Sequence, residues 1–159
     1  MSEIKEVMLV EEVLQAISIH AVETFPEECC GIILNDGESD QLRRCTNIQN
    51  QLHARDPETY PRDATIAYTI DPKELASTLG EVDSGKAKIK AFYHSHPGHD
   101  AYFSQEDKAF AAALGEPSYP ESAQIVISIY DRVVKRIATY GWSEEKRDFI
   151  EIPLKPSHE

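Results

Sequence analysis

The segment His94-Ser95-His96-Pro97 contains the residues whose types and spacing point most clearly to chemistry. In an extended strand, residues two positions apart face the same side, so the imidazoles of His94 and His96 are expected to converge. Two neutral imidazoles form half of a typical zinc site, and a carboxylate is a common third ligand. The segment therefore predicts a metal site at the end of a strand.

Ser104 and Asp107 follow after a short loop and can supply that carboxylate. A helix that begins near Ser104 would bring Asp107 back beside the strand end. Two histidines, one aspartate and an open position for water are typical of a catalytic zinc rather than a structural one. Each part also has a plain explanation. His-x-His pairs occur on the polar faces of strands, and residues 104–107 form an ordinary helix capping box.

Glu28 is a further candidate acid, because it precedes Cys29-Cys30-Gly31 at the start of an apolar strand. A carboxylate beside a metal centre can take a proton from water and later deliver it to a leaving amine. The alternative is a solvated glutamate before a strand, which is a common arrangement. Spacing along the sequence does not by itself bring Glu28 next to His94. The adjacent cysteines must face opposite sides of the strand, so we interpret them as packing residues.

Together these residues resemble the signature of the JAMM (MPN+) zinc metalloprotease family. That signature has a glutamate three residues before a glycine at the start of a strand. Far downstream it continues with His-Ser/Thr-His-Pro, six residues, Ser, two residues and Asp. Here Glu28 precedes Gly31 by three residues, and the run from His94 to Asp107 matches at every position. The resemblance spans about residues 5–142.

The resemblance implies a role for each matching residue. His94, His96 and Asp107 would hold one Zn²⁺ per chain, Glu28 would be the general base acting on metal-bound water, and Ser104 would donate a hydrogen bond to the oxyanion. The implied reaction is hydrolysis of the amide bond after the Gly-Gly C-terminus of a ubiquitin-like or sulfur-carrier protein. The chain resembles the bare catalytic domain of prokaryotic members, and both isopeptide deconjugation and precursor processing stay open.

Three other functions compete with this hypothesis. A non-catalytic MPN-type scaffold would bind a partner protein without metal, although such domains normally lack the ligand set. A cupin-type oxygenase also begins from His-x-His but requires a glutamate shortly after the second histidine, where this chain has Asp100 and Ala101. A zinc deaminase requires a Pro-Cys-x-x-Cys motif, which this sequence lacks.

Local patterns predict the elements that must position these residues. The polar, proline-containing stretch 49–63 predicts a long loop. Interspersed strands and helices indicate a mixed α/β fold, and the resemblance implies an MPN-like (cytidine-deaminase-like) domain with a mixed β-sheet flanked by helices.

We expect one domain over 1–159, with a C-terminal strand and tail over 143–159. Strands are expected at 29–34, 42–48, 64–70, 89–94, 123–130, 133–142 and 149–154, and helices at 10–24, from 71 to Gly80 or Gly85, and at 104–114.

Composition narrows the class of partner and compartment. The chain has 159 residues and 28 acidic against 16 basic residues, a net charge of −12. So acidic a surface disfavours nucleic acid and anionic lipid as partners. No apolar run approaches the roughly 20 residues of a membrane helix, the N-terminus has no secretory pattern, and three cysteines form no evident disulfide framework. These features predict a cytoplasmic protein, and they leave its oligomeric state open.

Overall fold

The computed structural model describes residues 3–157, so the first and last two residues of the expected domain lie outside the described part. The strands within 3–157 are β1 (Val7–Val10), β2 (Cys30–Asn35), β3 (Asp40–Cys45), β4 (Lys88–Pro97), β5 (Ala123–Tyr130), β6 (Val133–Ser143), β7 (Asp148–Ile152) and β8 (Leu154–Ser157). The helices are α1 (Glu11–Thr24), α2 (Gln49–Arg55), α3 (Pro72–Asp83) and α4 (Gln105–Ala111). No helix in this range is long and apolar enough to cross a membrane.

Six strands form a mixed sheet in the order β3-β2-β4-β5-β6-β7. Strands β4 and β5 run parallel, with α4 in the crossover between them, and the other neighbours are antiparallel. Strands β1 and β8 form a separate parallel pair. The predicted mixed α/β fold, with a sheet flanked by helices, is confirmed.

The alternation of side chains along β4 assigns its residues to the two faces of the sheet. Tyr93 packs with Ile17 of α1 in one hydrophobic cluster, whereas Phe92 belongs to a second cluster covered by α3. His94 and His96 lie at even positions like Phe92, so their side chains face the side opposite α1. The period-two argument from the sequence therefore holds for the histidine pair.

Local signals explain several element boundaries. Asp71 caps α3, since its carboxylate accepts a hydrogen bond from the backbone N of Lys73 at 2.9 Å, and Pro72 occupies the first turn. The tight connection between β5 and β6 is formed by Asp131 and Arg132, both in the left-handed region at φ 49° and 65°. Two successive positive φ values are characteristic of the turns that join twisted antiparallel strands.

The connection between β3 and α3 differs from the prediction. The expected loop over 49–63 begins with α2, and the expected strand over 64–70 is absent except for an isolated bridge between Asn47 and Ile70. The side chain of Asn47 accepts hydrogen bonds from the backbone of both segments, at 3.0 and 3.1 Å. The conformation here depends on a tertiary contact, and local patterning carries no signal for it.

Several ends of elements also differ from the prediction. Strand β4 continues to Pro97 and so includes both histidines, whereas α4 ends at Ala111 rather than at residue 114. The strand expected at 149–154 is two strands, β7 and β8, and β1 was not predicted. Strands β1 and β8 have four residues each, which is too short for periodicity to identify them.

The glycine of the signature lies beneath an aromatic ring. Gly31 pairs with Tyr93 across β2 and β4, and a Cβ at position 31 would lie 2.3–2.4 Å from the Tyr93 ring and hydroxyl. We expect Gly31→Ala to lower the free energy of unfolding by about 1–3 kcal/mol or more, because a buried ring must move. Denaturant unfolding measures the change.

Gly80→Ala is the matched control for this substitution. Gly80 lies within α3, is exposed, and has no atom within 4 Å of an added Cβ. Its replacement is expected to stabilise the protein by about 0.5–1 kcal/mol through helix propensity. Equal effects of the two substitutions would contradict the packing role given to Gly31.

Candidate metal centre

Three side-chain atoms converge at the carboxyl end of β4. His94 Nε2 and His96 Nε2 lie 3.2 Å apart, and each lies 3.2 Å from Asp107 Oδ2. His94 and His96 are buried and Asp107 is half-buried. The strand contributes both imidazoles, and the first turn of α4 contributes the carboxylate.

This arrangement could hold a metal ion. Four ligands placed tetrahedrally at about 2.0–2.1 Å from Zn²⁺ lie roughly 3.3 Å from one another, close to the observed separations. Nitrogen and oxygen donors of this kind suit zinc. The residues present therefore fit a zinc ion bound by three side chains.

Hydrogen bonds orient two of the three candidate ligands. His96 Nδ1 lies 2.9 Å from the backbone O of Asp100, so it can donate there and leave Nε2 free as a ligand. The carboxylate of Asp107 accepts a hydrogen bond from the backbone N of Ser104 at 3.0 Å. Burial raises the pKa of Asp107, but the neighbouring imidazoles and this N–H outweigh it and hold that pKa well below its usual value.

The capping box and the candidate ligand Asp107 belong to one turn of helix. Ser104 caps α4, and its Oγ accepts a hydrogen bond from the backbone N of Asp107 at 3.0 Å. Because that oxygen is the acceptor, the hydroxyl proton of Ser104 is free for another partner. The plain explanation of residues 104–107 is therefore correct, and it coexists with the ligand cluster.

Glu28 is brought to this centre by the pairing of β2 with β4. The backbone N of Ser95 donates to Cys29 O at 3.1 Å, and the backbone N of Cys29 donates to Ser95 Oγ at 2.8 Å. These bonds extend the antiparallel register beyond the end of β2, so Glu28 comes level with His96. The side chain of Ser95 thus has a structural role, because it accepts a hydrogen bond from the main chain next to Glu28.

Contacts on both sides fix the main chain of Glu28. Its backbone N donates to Ala64 O at 2.7 Å, and Asn47 Nδ2 donates to its carbonyl O at 3.0 Å. The side chain is only 6% exposed. Burial raises the pKa of Glu28 to about 7, although the imidazoles of His94 and His96 oppose the rise. A carboxyl group with that pKa exchanges protons readily at neutral pH.

A cleft of about 380 Å³ opens over these residues. Its floor includes Glu28, His96, Ser104 and Asp107. One wall comes from the start of α2 and the segment between α2 and α3, namely Gln49, Thr59, Tyr60, Pro61, Arg62, Ile66, Ala67, Tyr68 and Thr69. The other comes from the loop after β4 and from α4, namely His99, Tyr102, Glu106 and Phe110. The stretch predicted as a loop over 49–63 therefore forms part of the first wall.

Other candidate groups lie outside the cluster. His99 is exposed on the loop and is not one of the three converging residues. Cys29 and Cys30 are buried in different hydrophobic clusters on opposite faces of the sheet, as predicted. Burial raises the pKa of Cys29 to about 12, so that thiol stays protonated at neutral pH.

Sequence reasoning missed two residues at this site. Asn47 links the Glu28 strand to the 64–70 segment through bonds to Glu28 O, at 3.0 Å, and Ala67 O, at 3.1 Å. The ring of Tyr68 stacks on the imidazole of His94, with centroids 4.6 Å apart and planes at 24°. Neither residue belongs to the signature, and no local pattern distinguishes them from other polar or aromatic residues.

The chain is similar to known proteins in sequence and in fold. A desampylase of Haloferax volcanii is 30% identical over 90 residues, which are 57% of this chain and 58% of that protein. A solution structure of a Desulfitobacterium hafniense protein has a TM-score of 0.69 at 18% identity and covers 96% of this chain and 94% of that one. A crystal structure of a JAB1/MPN domain protein from Archaeoglobus fulgidus has a TM-score of 0.51 at 13% identity, over 94% of this chain and 99% of that one.

The two similar structures support the fold. The family of this chain is shown by a match to a family model. The model that describes prokaryotic homologs of the JAB domain, Prok-JAB, matches residues 10–140. That range contains Glu28, both histidines, Ser104 and Asp107, and it confirms the resemblance drawn from the signature. This chain belongs to the family of prokaryotic homologs of the JAB domain.

Proposed function

We propose that this protein is a zinc-dependent peptidase or isopeptidase. It would hydrolyse the amide bond that follows the Gly-Gly C-terminus of a ubiquitin-like or sulfur-carrier protein. The observation that carries the proposal is the set of three donor atoms 3.2 Å apart, at the floor of a cleft that Glu28 and Ser104 also line. The similarity to a desampylase supports an isopeptidase acting on a ubiquitin-like protein.

In this mechanism His94, His96 and Asp107 would hold the metal, and Glu28 would move the proton. Zn²⁺ bound there would polarise the scissile carbonyl and lower the pKa of water to about 7. The carboxylate of Glu28 takes a proton from the attacking water and then gives it to the nitrogen of the leaving amine. Glu28 suits this transfer because it is buried, faces the cleft and is fixed through its main chain.

Ser104 would stabilise the negative charge that develops on the carbonyl oxygen. Its Oγ accepts the cap hydrogen bond from Asp107 N, so its own proton can be donated to that oxygen. A correctly placed oxyanion donor lowers a barrier by roughly 3 kcal/mol. The helix cap that holds the serine in place also removes the need to reorganise it during the reaction.

The cleft suits an extended chain with small side chains. It lies between the segment after α2 and the wall formed by the loop after β4 with α4, and it has aromatic residues on both walls, among them Tyr60, Tyr68 and Tyr102. A tail without side chains can pass between such walls and bind through its main chain. These features support a glycine-rich C-terminal tail as the part of the substrate next to the scissile bond.

A cleavage assay on matched substrates tests the proposal. The zinc-loaded protein is incubated with a ubiquitin-like or sulfur-carrier protein extended by a peptide past Gly-Gly, and with the same protein joined to a lysine through an isopeptide bond. Mass spectrometry of the products is expected to locate the cut directly after Gly-Gly. Substrates with Ala-Ala in place of Gly-Gly are the controls and are expected to stay intact.

The outcomes separate the remaining possibilities. Cleavage of the extended protein but not of the isopeptide conjugate would assign precursor processing, and the reverse would assign deconjugation. Turnover that persists after complete removal of metal would overturn the mechanism. Absence of zinc binding and of turnover on every substrate would favour the alternative, a non-catalytic MPN-type scaffold.

A further inference from the structure

The two candidate histidine ligands are oriented in different ways. His96 Nδ1 lies 2.9 Å from the backbone O of Asp100. His94 Nδ1 is buried and has no hydrogen-bond partner, and it is the one buried side-chain N or O atom within residues 3–157 in that state. Histidines that bind a metal almost always donate their second ring N–H to a partner that fixes the ring. Another contact must therefore orient His94.

The ring of Tyr68 provides that contact. It lies against the His94 imidazole with centroids 4.6 Å apart and planes at 24°, a stacked arrangement. Aromatic rings at this separation attract one another and restrict rotation of their partner. By comparison, Phe103 is 6.5 Å from the same imidazole and tilted by 52°.

Tyr68 also contacts the helix that carries Asp107. Its ring meets Phe110 edge-on, with centroids 5.7 Å apart and planes at 74°. Asp107 and Phe110 are three residues apart in α4, so they share one face of that helix. Helix α4 has seven residues and none of them is buried, so its position depends on side-chain contacts such as this one and the ion pair between Lys108 and Asp148 at 3.2 Å.

The main chain around Tyr68 is itself fixed. Asn47 Nδ2 donates to Ala67 O, and Asn47 Oδ1 accepts from Thr69 N, both at 3.1 Å. One side chain thus holds the residues on either side of Tyr68. The ring is consequently presented from a defined position rather than from a free loop.

We propose that Tyr68 is a positioning residue for the metal centre. Its ring lies between His94 and Phe110 and holds the imidazole and helix α4 in the arrangement that binds the metal. A hydrogen bond from Nδ1 orients His96, whereas stacking on the ring of Tyr68 orients His94. This role rests on the proposed function, since it concerns the same metal site.

Zinc affinity of matched variants tests this role. The dissociation constant is measured by competition with a chromogenic chelator for the wild type, Tyr68→Leu and Tyr68→Phe. We expect Tyr68→Leu to weaken zinc binding by about 10–100-fold, the range for loss of a partner that orients a ligand, and Tyr68→Phe to bind like the wild type. Tyr60→Leu is the control, because it removes another aromatic residue of the cleft wall.

Further measurements distinguish a change at the metal site from a general loss of folded structure. Phe110 is 59% exposed, so Phe110→Ala has little risk of unfolding, and it should weaken zinc binding in the same direction. The absorption bands of the Co²⁺-substituted protein should change in Tyr68→Leu and stay unchanged in Tyr68→Phe. Thermal unfolding of the metal-free variants verifies that each is folded.

The results distinguish failure of this role from failure of the proposed function. A wild type that binds and uses zinc, together with Tyr68→Leu and Phe110→Ala variants that bind it equally well, would overturn the positioning role alone. An equal loss of zinc affinity in Tyr68→Phe and Tyr68→Leu would show that stacking by the aromatic ring does not orient His94. A wild type that binds no zinc would overturn the proposed function, and this role with it.

Discussion

Glu28→Gln is expected to lower the rate of hydrolysis by about 10²–10⁴-fold while leaving zinc binding intact. The expected loss is that of a general acid–base group, because an amide cannot accept the proton of the attacking water. The substitution keeps the size of the side chain and both main-chain bonds of residue 28, to Ala64 and Asn47. Steady-state kinetics and metal analysis on the same preparation measure the two effects.

Glu106→Gln is the matched control for charge. Glu106 also lines the cleft and loses the same charge on substitution, but it is exposed and faces Arg62 at 3.9 Å. Its replacement is expected to leave the rate within a few-fold of the wild type. A Glu28→Gln variant that stays active would show that Glu28 is a buried acid without a catalytic role. Loss of zinc along with activity would make it a ligand instead.

Glu28→Gln also has a predicted effect on the free energy of unfolding of the metal-free protein. Burial raises the pKa of Glu28 to about 7, above its value in an unfolded chain. The stability that the protonated group provides is therefore present at low pH and is lost as the pH rises through 7. At pH 8 we expect Glu28→Gln to be more stable than the wild type, by an amount on the order of 3 kcal/mol. Denaturant unfolding at pH 5 and pH 8 should reveal a difference that grows with pH.

His94→Ala and Asp107→Ala are each expected to abolish stoichiometric zinc binding, from about one ion per chain in the wild type, and hydrolysis with it. Each substitution removes one of three donor atoms that lie 3.2 Å apart, and two remaining ligands do not make a stable site. The loss of affinity should exceed the roughly 10–100-fold that removal of an orienting partner causes. Equilibrium dialysis with metal analysis measures the stoichiometry.

Comparison of Asp107→Ala with Asp107→Asn separates metal binding from helix capping. Asp107→Ala also removes the acceptor for the backbone N of Ser104, whereas Asp107→Asn retains an oxygen for that bond. We expect both to lose zinc, but only the alanine variant to lose the bond from Ser104 N, at about 1 kcal/mol, while Ser104 Oγ still caps the helix in both. His99→Ala is the control, as a neighbouring histidine of the cleft outside the cluster. Zinc retained by His94→Ala, or lost by His99→Ala, would contradict the assignment of ligands.

Much of the candidate metal site can be predicted from local patterns. Alternation in a strand aligns His94 with His96, and a helix start after a short loop returns Asp107 to the strand end. Both features involve residues close together in the chain, and both are present in the structure. The capping box does not compete with the candidate metal site, because Asp107 Oδ2 bonds Ser104 N and also lies beside the imidazoles.

The position of Glu28 and the surroundings of His94 could not be predicted in this way. Glu28 reaches the site because β2 pairs with β4, and Tyr68 reaches it because the irregular chain after α2 returns to Asn47, whose side chain bonds Ala67 and Thr69. Strand periodicity and capping preferences act over a few residues, so a sequence shows them directly. Pairing of distant strands and packing of an irregular segment depend on many weak contacts formed together, and these appear only once the chain is folded.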